Sequence, residues 1–534
     1  MSVAPSDSAQ DLNIGMANSM ISPALLERLS SRVSLAGPVS GRIEVRAPFT
    51  GELIALIPRC TSDDVAAAVE RARRGQKEWE KWSHRSRRQL FNRFHDLLLE
   101  RQEEGLDLVQ LESGKARRHA FEEVMDTAVV TRHYAWRAET YLRTRRRRGA
   151  LPGLTVTREF RHPVGVVGCI VPWNYPLNLG ITDAIAALLA GNAVVLKPDH
   201  QTSLTALWAV DLLLEAGLPP DVLPVVTGEG PALGPALMES VDFIMFTGST
   251  ATGRVIARQA ADRLIGASLE LGGKNPMLVL KHADIPRAVD GAIRGCFVGA
   301  GQVCVSIERI YIHAQHFDQF AEAFVRAASS LRMGTSLDYL PEMGSLASAR
   351  QLQTVDEHVR NAIEGGATLL CGGRARPDIG PLFYEPTVLT DVTAGMRVHS
   401  EETFGPVVSL YRCASDEESI RLANQTSYGL SASVWGRDVK QAVDVARRIR
   451  AGSVNVNEAY AATWGSTDAA IGGMKDSGIS RRHGEEGILK YTEVQTVAVQ
   501  RLHGIRPPSG ISHEMYVRIM TTFLKLMRRV PGLR

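Results

Sequence analysis

Between Gly165 and Gly273 short apolar runs alternate with helical patterns, and this alternation constrains the fold more than any other feature of the chain. Val166–Val171, Ala193–Lys197, Leu223–Val226 and Phe243–Phe246 read as strands, and Leu179–Ala190 and Thr202–Ala216 as helices closed by Gly191 and Gly217. Strand–helix–strand repetition predicts a parallel, doubly wound α/β sheet, which takes ligands beyond the carboxyl ends of its strands. A second alternating region runs from about Asn275 to Asn457. Its expected strands are Leu278–Leu280, Arg309–Ile312, Thr368–Cys371 and Val407–Leu410, with helices at Phe317–Ser330 and Leu352–Glu364.

Upstream, Arg42–Ile57 alternates around Pro48, Thr50 and Gly51 and predicts a hairpin. Ser62–Gly105 and Phe121–Leu142 carry helical patterns. The run Arg143, Arg145, Arg146, Arg147, Arg148 reads as a solvated helix end, where cations suit the dipole, in preference to an anion or nucleic-acid patch. After Arg501, Pro507 and Pro508 precede a short amphipathic pattern that places Ile519, Phe523, Leu526 and Met527 on one face, with Lys525, Arg528 and Arg529 nearby. A tail docked on its own chain or a partner subunit is the preferred reading, and a helix on a membrane surface the alternative. The polar lead from Met1 to about Asn18 lacks the basic and apolar regions of a secretory signal.

The 534 residues predict roughly three structural units. With 44% hydrophobic and 22% charged residues, bulk disorder, collagen and coiled coil are excluded. The 61 basic and 58 acidic residues leave a net +3, too little for a nucleic-acid footprint. Six cysteines without a CxxC pair argue against a disulfide framework and a zinc site, so no metal is expected and a reducing cytoplasm is the default.

Five short motifs carry chemistry. Phe246-Thr247-Gly248-Ser249 through Gly253 follows a strand and opens a helix, leaving backbone N–H groups for a phosphate. Lys197 ends a strand that should be buried on both faces, so its charge needs a partner such as a ribose or phosphate. Cys304 follows Gly301-Gln302-Val303 and can serve as a nucleophile. Glu270, between leucines at a strand end, is suited to be a general base with a raised pKa. Asn174, in Pro172-Trp173-Asn174-Tyr175-Pro176, can donate its amide to an oxyanion. Each motif alone also has a plain explanation: a tight turn, a snorkelling lysine, an inert buried cysteine, an ion pair, an Asx turn.

Their joint occurrence, in this order and with Glu402-Thr403-Phe404-Gly405-Pro406, resembles the aldehyde dehydrogenase superfamily from about residue 40 to 500. The segments Arg376–Pro386, Gly472-Gly473-Met474 and Arg481-Arg482-His483-Gly484 look most like the second type of actinobacterial NADP succinate-semialdehyde dehydrogenase. The resemblance implies that Cys304 attacks the aldehyde, Asn174 and the Cys304 N–H hold the oxyanion, and Glu270 activates water. It implies a cofactor cleft formed by Pro172, Trp173, Lys197, His200, Gly248, Ser249, Gly253, Leu271, Glu402 and Phe404. It also implies a Rossmann-like cofactor domain (35–141 and 163–271), a catalytic domain (272–470), a bridging sheet (142–162 and 488–500) and a tail (501–534). That sheet would pair subunits into a homodimer or homotetramer.

The chain departs from the family pattern at three places. His200 stands where NAD-preferring members carry an acid, with Asp199 just before it, which fits NADP or dual use. Val298 and Thr182 stand where succinate-semialdehyde dehydrogenases carry arginines for the substrate carboxylate, leaving Arg481 and Arg482 as candidate replacements and a hydrophobic or aromatic aldehyde as the alternative substrate. Arg482 also replaces a glutamate of many members, so Glu270 is expected to act as the only base.

Overall fold

The computed structural model describes residues 21–149, 155–501 and 506–529; the polar lead to Asn18 lies outside them. The runs with no polar face form a sheet covered on both sides. Its order is Gly478–Ile479, Gly266–Glu270, Phe243–Thr247, Val166–Ile170, Ala193–Lys197, parallel except for the first pair. Helix Asn178–Leu189 is buried along its whole length, as apolar patterning on all sides requires. Leu223–Val226 is not a strand of this sheet: Val225 makes only isolated bridges to Leu196 and Val33. Pro224 has no N–H to give a ladder, although its carbonyl accepts from Leu196 (2.9 Å).

The second sheet has seven strands, in the order Thr368–Cys371, Thr387–Thr390, Val407–Cys413, Ile307–His313, Asn275–Val279, Ser431–Trp435, Ser453–Val456. Only its first pair is antiparallel. Thr387–Thr390, Ser431–Trp435 and Ser453–Val456 were not expected, being too short or too polar to register as apolar runs.

Two further expectations need correction, those for the arginine run and for the tail. The arginine run is not a helix end. The helix stops at Leu142, and Arg145–Arg148 is an edge strand paired with Val156–Glu159, in a three-stranded antiparallel sheet completed by Thr492–Gln500. Arg147 bonds Glu159 across the ladder (2.6 Å), and Arg145 pairs with Glu485. The helical pattern over Ser62–Gly105 forms as expected, as helices Ser62–Trp79, His84–Glu100 and Gln102–Ser113, the second capped by Ser83 on the Ser86 N–H (3.1 Å). The Arg42–Arg46 and Leu53–Pro58 hairpin forms as expected. The tail helix, His513–Met527, buries none of its residues and leaves most of them exposed, so the expected docking on its own chain is not seen.

The chain leaves the first sheet at Glu270 and enters the second at Asn275. That junction is pinned by a buried ion pair, Lys274–Glu308. The Glu308 carboxylate also accepts the N–H groups of Thr403 (3.0 Å) and Phe404 (3.0 Å), and Arg309 donates to the Lys274 carbonyl (2.6 Å). Removing one member of such a pair leaves an uncompensated buried charge, at a cost of about 3–5 kcal/mol. Lys274→Met should therefore lower the urea midpoint of unfolding clearly, and Lys274→Met with Glu308→Leu should recover part of it; equal midpoints for wild type and Lys274→Met would refute this.

Candidate active site

Cys304 sits on the loop that feeds strand Ile307–His313. The approach is tight: Gly299, Ala300 and Gly301 all have positive φ (55°, 56° and 73°). A Cβ at Gly301 would lie 2.1 Å from the Gly405 carbonyl oxygen, so only glycine fits there. Asn275 holds the loop from below, its Nδ2 donating to the carbonyls of Cys304 (2.8 Å) and Ser306 (2.8 Å). Burial pushes the Cys304 thiol up to about 12; Arg482 pulls it down, while Glu270 and Glu402 push it further up. At neutral pH the thiol is protonated and needs a base.

Asn174 follows strand Val166–Ile170 and is buried. Its Nδ2 donates one hydrogen to the Gln302 carbonyl (2.9 Å), two residues before the thiol. Lys115 Nζ donates to the Asn174 carbonyl (2.7 Å) and pairs with Glu123 (2.5 Å). Glu123 in turn accepts from the N–H groups of Leu177 (2.9 Å) and Asn178 (3.1 Å) at the start of the buried helix. This salt-bridged support fixes Asn174 against the cysteine loop.

Glu270 closes its strand with a buried carboxyl whose Oε1 has no hydrogen-bond partner among the described residues. Burial raises it to about 7, against the pull of Arg482 and Lys490. Arg482 is locked behind it, on Asp183 (2.7 Å) and Thr247 Oγ1 (2.6 Å). Asp183, which burial alone would raise, is held down to about 2 by Arg482 and Lys490. The described residues contain no cluster of metal-ligating side chains.

Three cavities meet at the thiol. A groove of about 550 Å³ runs from Asp199 and His200 past Ser249 to Glu270 and Cys304. Pro172, Trp173, Asn174, Gly248, Leu271, Glu402 and Phe404 line it as well. Trp173 and Phe404 meet edge to face at 5.6 Å, and Glu402 accepts the Gly273 N–H (2.8 Å), its carboxyl pushed up by burial to about 8. A second cavity of about 270 Å³ reaches Cys304 with Tyr175, Leu179, Val303, Tyr460 and Trp464 in its wall, together with Glu122, Asp126 and Arg294. A small space of about 30 Å³ joins Cys304, Glu270 and Arg482.

Two residues assigned to the cofactor cleft lie beside the groove. Lys197 is buried with Nζ on the Pro198 carbonyl (3.0 Å), and Gly253 makes room for Leu271, whose Cδ2 lies 2.4 Å from where a Cβ would stand. Neither candidate arginine enters the 270 Å³ cavity: Arg481 is spent on the carbonyls of Gly473 (3.1 Å) and Ser480 (2.7 Å), and Arg482 on Asp183. Arg294 is the cation lining it among the described residues. Sequence reading missed Arg294, since one arginine on an amphipathic helix has no signal of its own. It also missed the Tyr175–Tyr460–Trp464 wall, although Tyr175 adjoins Asn174.

A groove large enough for a dinucleotide thus ends on a supported cysteine, with a buried carboxyl and an amide beside it. The chain belongs to the aldehyde dehydrogenase family, whose profile matches residues 36–497. A Mycolicibacterium smegmatis protein named putative succinate-semialdehyde dehydrogenase (NADP+) is 49% identical over 484 residues, 91% of this chain and 94% of the relative. A Mycobacterium ulcerans protein named as a second such enzyme is 46% identical, covering 91% and 93%. The crystal structure of betaine aldehyde dehydrogenase from Staphylococcus aureus in complex with NAD+ superposes with a TM-score of 0.85 at 31% identity, over 92% of this chain and 98% of that one.

The raised thiol gives a direct measurement. Alkylation of Cys304 by iodoacetamide, followed by peptide mass spectrometry, should accelerate about tenfold per pH unit from pH 7 to 10, as thiolate control requires. A rate flat across that range would mean that the thiol is already ionised.

Proposed function

We propose that this chain oxidises an aldehyde to its carboxylic acid with NADP, and that succinate semialdehyde is the substrate. The observation that carries the reaction is the meeting of a dinucleotide-sized groove and a separate cavity at Cys304, with Glu270 and Asn174 beside it. The names of the mycobacterial relatives support the substrate and the cofactor.

The groove suits a dinucleotide. Ser249 caps helix Thr250–Asp262 through the Thr252 N–H (3.3 Å), so the first turn is open to a pyrophosphate. Glu402 stands ready for a ribose diol. At the adenosine end Asp199 spends Oδ1 on the Gln201 N–H (3.0 Å) and lies 3.3 Å from His200 Nδ1. His200 thus offers a 2′-phosphate less repulsion than an acid at that position would give. NADP bound there supplies the hydride acceptor.

The chain's own groups do the rest. Glu270, poised near 7, takes the Cys304 proton, and the thiolate attacks the aldehyde carbon. The free Asn174 amide hydrogen and the Cys304 N–H hold the oxyanion. Once the hydride has left, a thioester remains on Cys304; Glu270, after passing its first proton to solvent, takes a proton from the water that attacks the thioester carbonyl, and the Cys304 thiolate leaves as the acid forms.

Absorbance of reduced nicotinamide tests the substrate. Succinate semialdehyde should be turned over with NADP and not by Cys304→Ala, and Arg294→Ala should raise its KM about tenfold while sparing butanal. A second reading, an apolar or aromatic aldehyde, draws on the Tyr175, Tyr460 and Trp464 wall and on Glu122 and Asp126, which disfavour an anion. Butanal outpacing succinate semialdehyde in kcat/KM would establish it.

A second measurement isolates the base. Glu270 is inactive as a base when protonated, so kcat/KM should rise with pH through about 7 and then level. Glu270→Gln should remove this limb and cut steady-state turnover by about 10²–10⁴-fold. Normal turnover in that variant would assign the base elsewhere.

A further inference from the structure

The C-terminal helix is finished but unused. His513–Met527 is 15 residues long and capped by Ser512, whose Oγ accepts the Met515 N–H (3.3 Å). None of its residues is buried. At about 100° per residue its side chains sort into two arcs. Met515, Ile519, Phe523, Leu524 and Leu526 fall on one, all exposed. Arg518 and Lys525, with Arg528 and Arg529 just beyond the last turn, fall on the other. Glu514 is the one acid of the helix.

Each arc requires something different of a partner. The apolar arc needs a surface that excludes water, and the basic arc needs negative charge alongside that surface. The helix is about 22 Å long, too short to span a bilayer, and no helix among the described residues is long and apolar enough to cross one. A short helix with an apolar half and a cationic half is suited to lie in the plane of an anionic lipid surface, its rings and aliphatic groups below the headgroups and its cations among them. A second copy of this helix could cover the apolar arc, but it would add cations to the basic one. Charge complementarity therefore selects the lipid.

We propose that residues 513–529 form a membrane-surface helix that seats this dehydrogenase on anionic lipid. The site lies apart from the cavities at Cys304 and does not depend on the identity of the aldehyde.

The test is flotation of the purified full chain with phosphatidylcholine vesicles, with and without about 30% phosphatidylglycerol, a composition that supplies the anionic surface. The protein should float with the anionic vesicles and fall about tenfold in bound fraction without the anionic lipid. Truncation after Arg501 should abolish binding, and so should Phe523→Glu with Leu524→Glu. Arg518→Glu with Lys525→Glu should weaken it, as should high salt. Dehydrogenase activity, measured on every variant, reports that the rest of the chain is folded. Failure to float with either vesicle, or flotation that survives truncation, would overturn the proposal. So would a full chain that stays off vesicles but loses a subunit contact on truncation, by light scattering; that result would assign the apolar arc to a second copy.

Discussion

The Lys274–Glu308 pair is the point on which the two sheets agree about geometry. Glu270 belongs to one sheet and Cys304 introduces a central strand of the other, so their relation is set wherever the chain crosses between them. The crossing takes only Leu271 to Lys274. One carboxylate there binds the ammonium and two N–H groups next to Glu402, so the Cys304 loop, the Glu270 strand end and the groove wall share a single support. A buried pair of this kind adds little net stability over well-packed apolar residues; its contribution is a fixed register. Lys115–Glu123 does the same on the Asn174 side.

The electrostatics of the site follow from burial opposed by nearby cations, Arg482 above all at Glu270 and Cys304. Glu270, Glu402 and Cys304 are all pushed up, because each is removed from water. Arg482 is the counterweight for Glu270 and Cys304, yet its charge is largely answered by Asp183. The outcome is a carboxyl raised toward neutrality beside a thiol raised well above its usual range. A full positive charge facing Glu270 without Asp183 would hold the carboxylate ionised and make it a poorer proton acceptor.

Much of this was legible in the sequence. The parallel strands Val166–Ile170, Ala193–Lys197 and Phe243–Thr247 announce themselves because burial on both faces leaves no polar alternation. Cys304, Glu270 and Asn174 stand in short motifs whose neighbours are dictated by close backbone approach. What failed was set by long-range pairing. Arg145–Arg148 carries every local mark of a helix end and becomes a strand only because Val156–Glu159 is there to bond it. Leu223–Val226 has strand composition but lacks a donor at Pro224. Arg294, Tyr460 and Trp464 come from separate elements and meet only in the folded chain, so no local pattern could join them.

The two large cavities share Cys304 and Leu179 in their walls, while Asn174's neighbour Tyr175 lines one and Trp173 the other. An acyl group held on the sulfur would therefore lie in one chamber while the other stays open to solution. In the reaction proposed above, departure of a spent nucleotide and hydrolysis of the acyl bond would not wait for each other's exit, because they would not use the same door. The thiol is in effect a partition wall, and traffic on its two sides can be timed independently.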